Sequence, residues 1–101
     1  MHLVEIFLPL TDNNGLRFDS GLFERVRKEL TERFGGVTAF VRAPAEGTFN
    51  SGGAIVHDEI VVIEVMVEDL DRRWWNSYRR ELETTFAQDE IIIRASKIER
   101  L

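Results

Sequence analysis

The stretch Asp58-Glu59-Ile60-Val61-Val62-Ile63-Glu64-Val65-Met66-Val67-Glu68 decides the fold. It is the most apolar run in the chain, and it is too short to cross a membrane as a helix, which takes about 20 apolar residues. Four valines and two isoleucines within it favour a strand, because β-branched side chains suit a pleated surface better than a helix. A strand this apolar belongs in the middle of a sheet, with a neighbour on each side and a layer covering it. The rest of the chain is therefore expected to supply flanking strands and covering helices.

Working outward, Ala43–His57 precedes this strand and carries Gly47, Gly52 and Gly53. The spacing predicts an extended hairpin arm over Gly47–His57 with Asn50-Ser51-Gly52-Gly53 at its tip. Before the arm, Val37–Arg42 reads as a strand. It follows a helix that starts at Asp19 or Ser20 and stops at Gly35-Gly36, a glycine pair suited to a left-handed C-terminal cap. Leu22, Phe23, Val26, Leu30 and Phe34 form the apolar stripe of that helix. His2–Leu8 is the first strand, ended by Pro9, and Thr11–Phe18 is a polar turn region with Asn13-Asn14-Gly15 at its centre. After the central strand, Asp69 or Asp71 caps a second helix running to about Ala87. Leu70, Trp74, Tyr78, Leu82 and Phe86 lie on its inner face, with Trp74 and Trp75 as the two flanks of that face. Gln88-Asp89 turns into the last strand, Glu90–Ser96.

The order β-α-β-β-α-β over one domain, residues 1–101, is the split βαβ pattern of an α+β ferredoxin-like sandwich. Right-handed crossovers predict a four-stranded antiparallel sheet in strand order 4-1-3-2 with two helices on one face.

Composition narrows the function classes. The 101 residues include 44% hydrophobic and 31% charged side chains, ordinary for a globular domain. With no cysteine, thiol nucleophiles, thiolate metal sites and disulfide scaffolds are excluded. A net charge of −5 argues against a duplex-binding surface, so nucleic acid is not an expected partner. Without a basic n-region around the first apolar run, the reading is a cytoplasmic protein with no membrane association.

Alternation with period two separates the sheet faces. One face is wholly apolar and belongs beneath the helices. The other carries Leu3, Glu5, Phe7, Phe40, Arg42, Ile60, Val62, Glu64, Met66, Ile92 and Arg94. An uncovered face is usually polar, so an apolar area of this size points to an interface or a ligand site. If the central residues of each strand align, the charges form a row Arg94, Glu5, Glu64, Arg42. Interface salt bridges account for such a row without chemistry, although two neighbouring carboxylates could do acid–base work. The catalytic candidates are Glu5, Glu64 and His57, with surface placement the plainer reading of His57. The ligand or interface candidates are Glu5, Phe7, Phe40, Arg42, Val62, Glu64, Met66, Ile92 and Arg94.

No metal site and no cofactor is expected. His2 and His57 lack ligand spacing, and Gly47–Gly53 lacks the Gly-x-x-x-x-Gly-Lys pattern of a phosphate loop. An RNA-recognition domain shares the topology, but Asp58–Glu68 has neither the aromatic signature nor the basic start that such a strand needs. Gly15 and Arg17 follow the first strand, as in acylphosphatases, but without the glycine-rich spacing.

Four segments carry a family resemblance. These are Glu5-Ile6-Phe7-Leu8-Pro9-Leu10, the stretch from Leu30-Thr31-Glu32-Arg33-Phe34-Gly35-Gly36 to Val37-Thr38-Ala39-Phe40, Arg42-Ala43-Pro44-Ala45-Glu46-Gly47, and Glu64-Val65-Met66-Val67. Through them the chain resembles a group of small bacterial proteins of unknown function, nearly end to end. That group would carry tryptophan where Phe49 stands. More distantly the architecture is similar to the dimeric α/β-barrel proteins, which pair two open sheet faces. That resemblance implies a homodimer built on the mixed face, acting as a small-molecule-binding or interaction module. The alternatives are a cofactor-free enzyme with a pocket near Glu5, Glu64, Arg42 and Arg94, and a regulator docked on another protein.

Overall fold

A computed structural model describes the backbone of residues 1–42, 47–51, 54–56 and 59–101, and the side chains outside 39–58. It is a mixed α+β structure compatible with the ferredoxin-like fold. In chain order the elements are β1 (His2–Pro9), α1 (Ser20–Phe34), β2 (Thr38–Arg42), β3 (Gly47–Ser51), β4 (Ala54–Val56), β5 (Ile60–Val67), α2 (Arg72–Thr85) and β6 (Ile92–Lys97). The central strand is β5. Hydrogen-bonded neighbours run β2-β5-β1-β6, every pair antiparallel, and β3 pairs with β4 as a separate ribbon. In that ribbon Gly47 is opposite Val56 and Ser51 opposite Ala54. The hairpin arm thus has strands on both limbs, while Gly52, Gly53 and His57 lie outside the described residues, as does the side chain of Phe49.

Local chemistry explains where the helices begin and end. Asp19 accepts a hydrogen bond from Gly21 N at 3.0 Å, relieving one orphan donor of the first turn of α1. Gly35 closes that helix with φ of 87°, a left-handed conformation glycine adopts without a Cβ penalty, and its N–H donates to Thr31 O at 2.8 Å. Asp71 caps α2 by accepting from Trp74 N at 3.1 Å. The far end of α2 is less usual. Ala87 takes φ of 50° where glycine is customary, while Ala87 N donates to Thr84 O at 3.2 Å and Gln88 N to Glu83 O at 2.9 Å. This is a Schellman motif built on alanine.

The core lies between the helices and one sheet face. Val4, Ile6 and Leu8 of β1, with Val61, Ile63, Val65 and Val67 of β5, pack with Val26 and Leu30 of α1 and with Trp75, Tyr78, Leu82 and Phe86. Trp75 is the deep tryptophan, whereas Trp74 is half-buried, so the expected flanks are unequal. Phe34 packs against both: its ring stacks on Trp75 at 5.3 Å and meets Trp74 edge-on at 5.3 Å, and Arg33 covers Trp74 at 4.3 Å. Among the described residues, no helix is long and apolar enough to cross a membrane.

Candidate functional site on the open sheet face

The face opposite the helices is apolar on both sides of a polar middle row. Val62 is fully buried, Leu3, Phe7 and Ile60 are half-buried, and Met66 and Ile92 are 51% and 57% exposed. In the sheet Phe7 stands between Val62 and Ile92, and Leu3 opposite Met66. Large apolar side chains exposed on both sides of a charged row are an uncommon composition for an uncovered sheet face.

Two carboxylates sit within it. Glu5 is directly opposite Glu64 on β5 and opposite Arg94 on β6. Arg94 Nε donates to Glu5 Oε1 at 3.1 Å, and the same guanidinium lies 4.7 Å from the centre of the Phe7 ring. The Glu5 side chain is 15% exposed, so this pair is partly desolvated on the carboxylate side. Glu64 is half-buried and has no ion-pair or hydrogen-bond partner among the described side chains. Like charges on facing residues repel, so Glu64 is the group that a cation or a hydrogen-bond donor would relieve.

The expected charge row needs one correction. Thr38, not Arg42, is opposite Glu64, and Arg42 is opposite Ile60. Four residues of strand separate the two positions, roughly 13 Å at the usual rise. Alternation assigned Arg42 to the face, but hydrogen-bond register places it at the far end of that face. Phe40 is opposite Val62 in the same register. The side chains of Phe40 and Arg42 lie outside the described residues, as does His57 in full. The structure therefore joins Glu5, Glu64, Phe7 and Arg94.

At the Arg42 end, the face runs into a depression of about 700 Å³ between the β1–α1 loop and the turn after α2. Phe7, Ile60 and Ile92 line its sheet side, and Asp12, Glu59 and Glu90 its rim. Arg17, the arginine that follows the first strand, faces Glu59 at 3.7 Å. Gln88 Nε2 donates to Asn13 Oδ1 at 3.3 Å across the mouth. Both residues were visible in the sequence only as turn formers. Their meeting spans 75 positions, and no periodicity carries that information.

A second groove, about 480 Å³, runs between the helices on the other side of the molecule. There the buried Tyr78 hydroxyl donates to Glu29 Oε2 at 3.1 Å. Burial, and then the charge and hydrogen bond of Glu29, push the phenol above its ordinary range.

The chain matches no family model and no curated protein. Among solved structures it is similar to a phage SAM lyase in complex with S-methyl-5'-thioadenosine. The TM-score is 0.65 and the identity 16%, over 95% of this chain and 80% of that chain. At that identity the likeness establishes a shared fold.

Proposed function

We propose that this chain is a small-molecule-binding module on a ferredoxin-like frame, working as a homodimer closed over its open sheet face. The carrying observation is the composition of that face: apolar side chains on both sides of a half-buried Glu64, which has no partner among the described side chains, beside the Glu5–Arg94 pair. A second copy would remove the apolar area from water, and a ligand carrying a cation or a donor would satisfy Glu64. The acidic balance of the chain favours neutral or cationic ligands over polyanions. A solved neighbour of the same fold, a lyase holding a nucleoside thioether, supports the small-molecule part of this reading.

A second reading makes the module a cofactor-free enzyme, with Glu64 as the acid–base group and Glu5–Arg94 as its support. The name of that neighbour, a lyase, favours it. Both readings require a ligand at Glu64. A thermal-shift screen of neutral and cationic metabolites tests this. The expected result is a ligand that stabilises the wild type by about 2.7 kcal/mol at one hundred times its Kd, and that fails on Glu64→Gln. A panel in which no compound discriminates wild type from Glu64→Gln would overturn the proposal.

A further inference from the structure

The depression at the end of the open face has an unusually well-fixed rim. Asp12 Oδ1 accepts from Asn14 N at 2.8 Å and from Leu16 N at 2.9 Å, while Asp12 N donates to Leu16 O at 2.7 Å. Gly15 closes this turn with φ of 81°, and a bridge between Thr11 and Arg17 seals its base. Asn13 stands at the tip of that rigid loop. Facing it, the Schellman end of α2 positions Gln88.

The hydrogen bonds at Gln88 decide which polar atoms remain available. Gln88 Nε2 donates to Phe86 O at 3.0 Å and to Asn13 Oδ1 at 3.3 Å. A backbone carbonyl can only accept, so Phe86 fixes which end of the Gln88 amide is nitrogen. One amide proton of Gln88 goes to Phe86 O and the other to Asn13, which must present its oxygen to it. Asn13 Nδ2 is left as a donor and Gln88 Oε1 as an acceptor with no partner among the described residues, and both residues line the depression together with Phe7, Ile60 and Ile92.

A planar group offering an adjacent acceptor and donor complements one free donor and one free acceptor, the pair that a single Asn or Gln amide presents to the adenine edge. We propose that the Asn13–Gln88 rim binds the base of an uncharged nucleoside, with the ring lying on the apolar floor. Asp12, Glu59 and Glu90 surround the site, with Arg17 offsetting only Glu59. Their charge disfavours phosphate, so the site takes nucleosides rather than nucleotides, and their oxygens suit ribose hydroxyls. This rests on the small-molecule reading of the open face and adds to it a nucleoside position apart from Glu64, which does not line the depression.

The test is titration of the ¹⁵N-labelled full chain with adenosine, adenosine 5'-monophosphate and purine riboside, which lacks the 6-amino donor. Adenosine is expected to shift the side-chain amide resonances of Asn13 and Gln88 saturably. The monophosphate and purine riboside are expected to bind at least about tenfold more weakly, as loss of a matched polar contact implies. Asn13→Ala combined with Gln88→Ala should cause a similar loss while leaving the far-ultraviolet spectrum unchanged. Equal binding of adenosine and its monophosphate, or adenosine shifts confined to residues around Glu64, would overturn the nucleoside site while leaving a small-molecule module intact. The absence of any saturable shift with all three compounds would overturn the nucleoside assignment, and the Glu64→Gln screen then decides the broader reading on its own.

Discussion

Tyr78 is the single tyrosine of the chain, so its ionisation can be followed without interference from another phenol. It is 5% exposed, stacks on Trp74 at 4.9 Å, and donates its hydroxyl proton to Glu29. Burial raises its pKa most, followed by the Glu29 charge and hydrogen bond, with Glu81 adding and Arg25 opposing. The folded state thus holds this proton more tightly than the unfolded state, whose phenol titrates near about 10. The stability linked to it is complete below that value and is lost as pH rises towards the folded-state value. For one group the loss between pH about 10 and about 11 is about 1 kcal/mol, approaching about 1.4 kcal/mol per unit beyond that. In Tyr78→Phe the alkaline loss should be smaller by that amount, while at neutral pH the variant loses about 1 kcal/mol with the hydrogen bond. Urea unfolding of both proteins at a series of alkaline pH values, with tyrosinate absorbance recorded alongside, reads both effects. Titration of the phenol in its ordinary range with the fold intact, or equal pH slopes for the two proteins, would refute the burial and the Glu29 contact together.

Three further outcomes follow from the packing. Ala87→Gly removes the left-handed strain at the end of α2 and should stabilise by about 0.5–1 kcal/mol, because relief of about 1–2 kcal/mol exceeds the entropy cost of glycine; chemical denaturation checks it. Phe86→Ala empties a fully buried site between Phe18 and Phe23, whose ring centres lie 5.1 and 5.4 Å away, and should cost about 3–5 kcal/mol in the same assay. A double-mutant cycle of Glu5→Gln and Arg94→Gln should give a coupling of about 0.5–1 kcal/mol, modest because Arg94 is 60% exposed; a coupling of zero would mean that the pair does not order this part of the face.

Much of this architecture is legible in the chain because its signals are local. Asp19, Gly35 and Asp71 mark helix ends through contacts with residues a few positions away, and alternation through Val61, Ile63, Val65 and Val67 sorts one face from the other. The facing of Glu5 and Glu64 was also accessible, since both stand near the middle of neighbouring strands. Arg42 was misplaced because alternation reports which face a residue takes and says nothing of its register along the neighbouring strand. The two tryptophans look equivalent on a helical wheel, and which of them lies deeper depends on how α2 docks on the rest of the core. The Glu29–Tyr78 and Asn13–Gln88 contacts join residues 49 and 75 positions apart, and each depends on how whole elements dock. Site chemistry in this fold is therefore least visible where loops from distant parts of the chain converge.

Sedimentation velocity across a wide concentration range, at low and high salt, tests most directly whether the open face is an interface. Wild-type protein should remain a dimer on dilution. Met66→Glu, which places a charge at a half-exposed position of that face, should sediment as a folded monomer. A wild-type monomer at every concentration would contradict the homodimer, as would a dimer that Met66→Glu leaves unchanged.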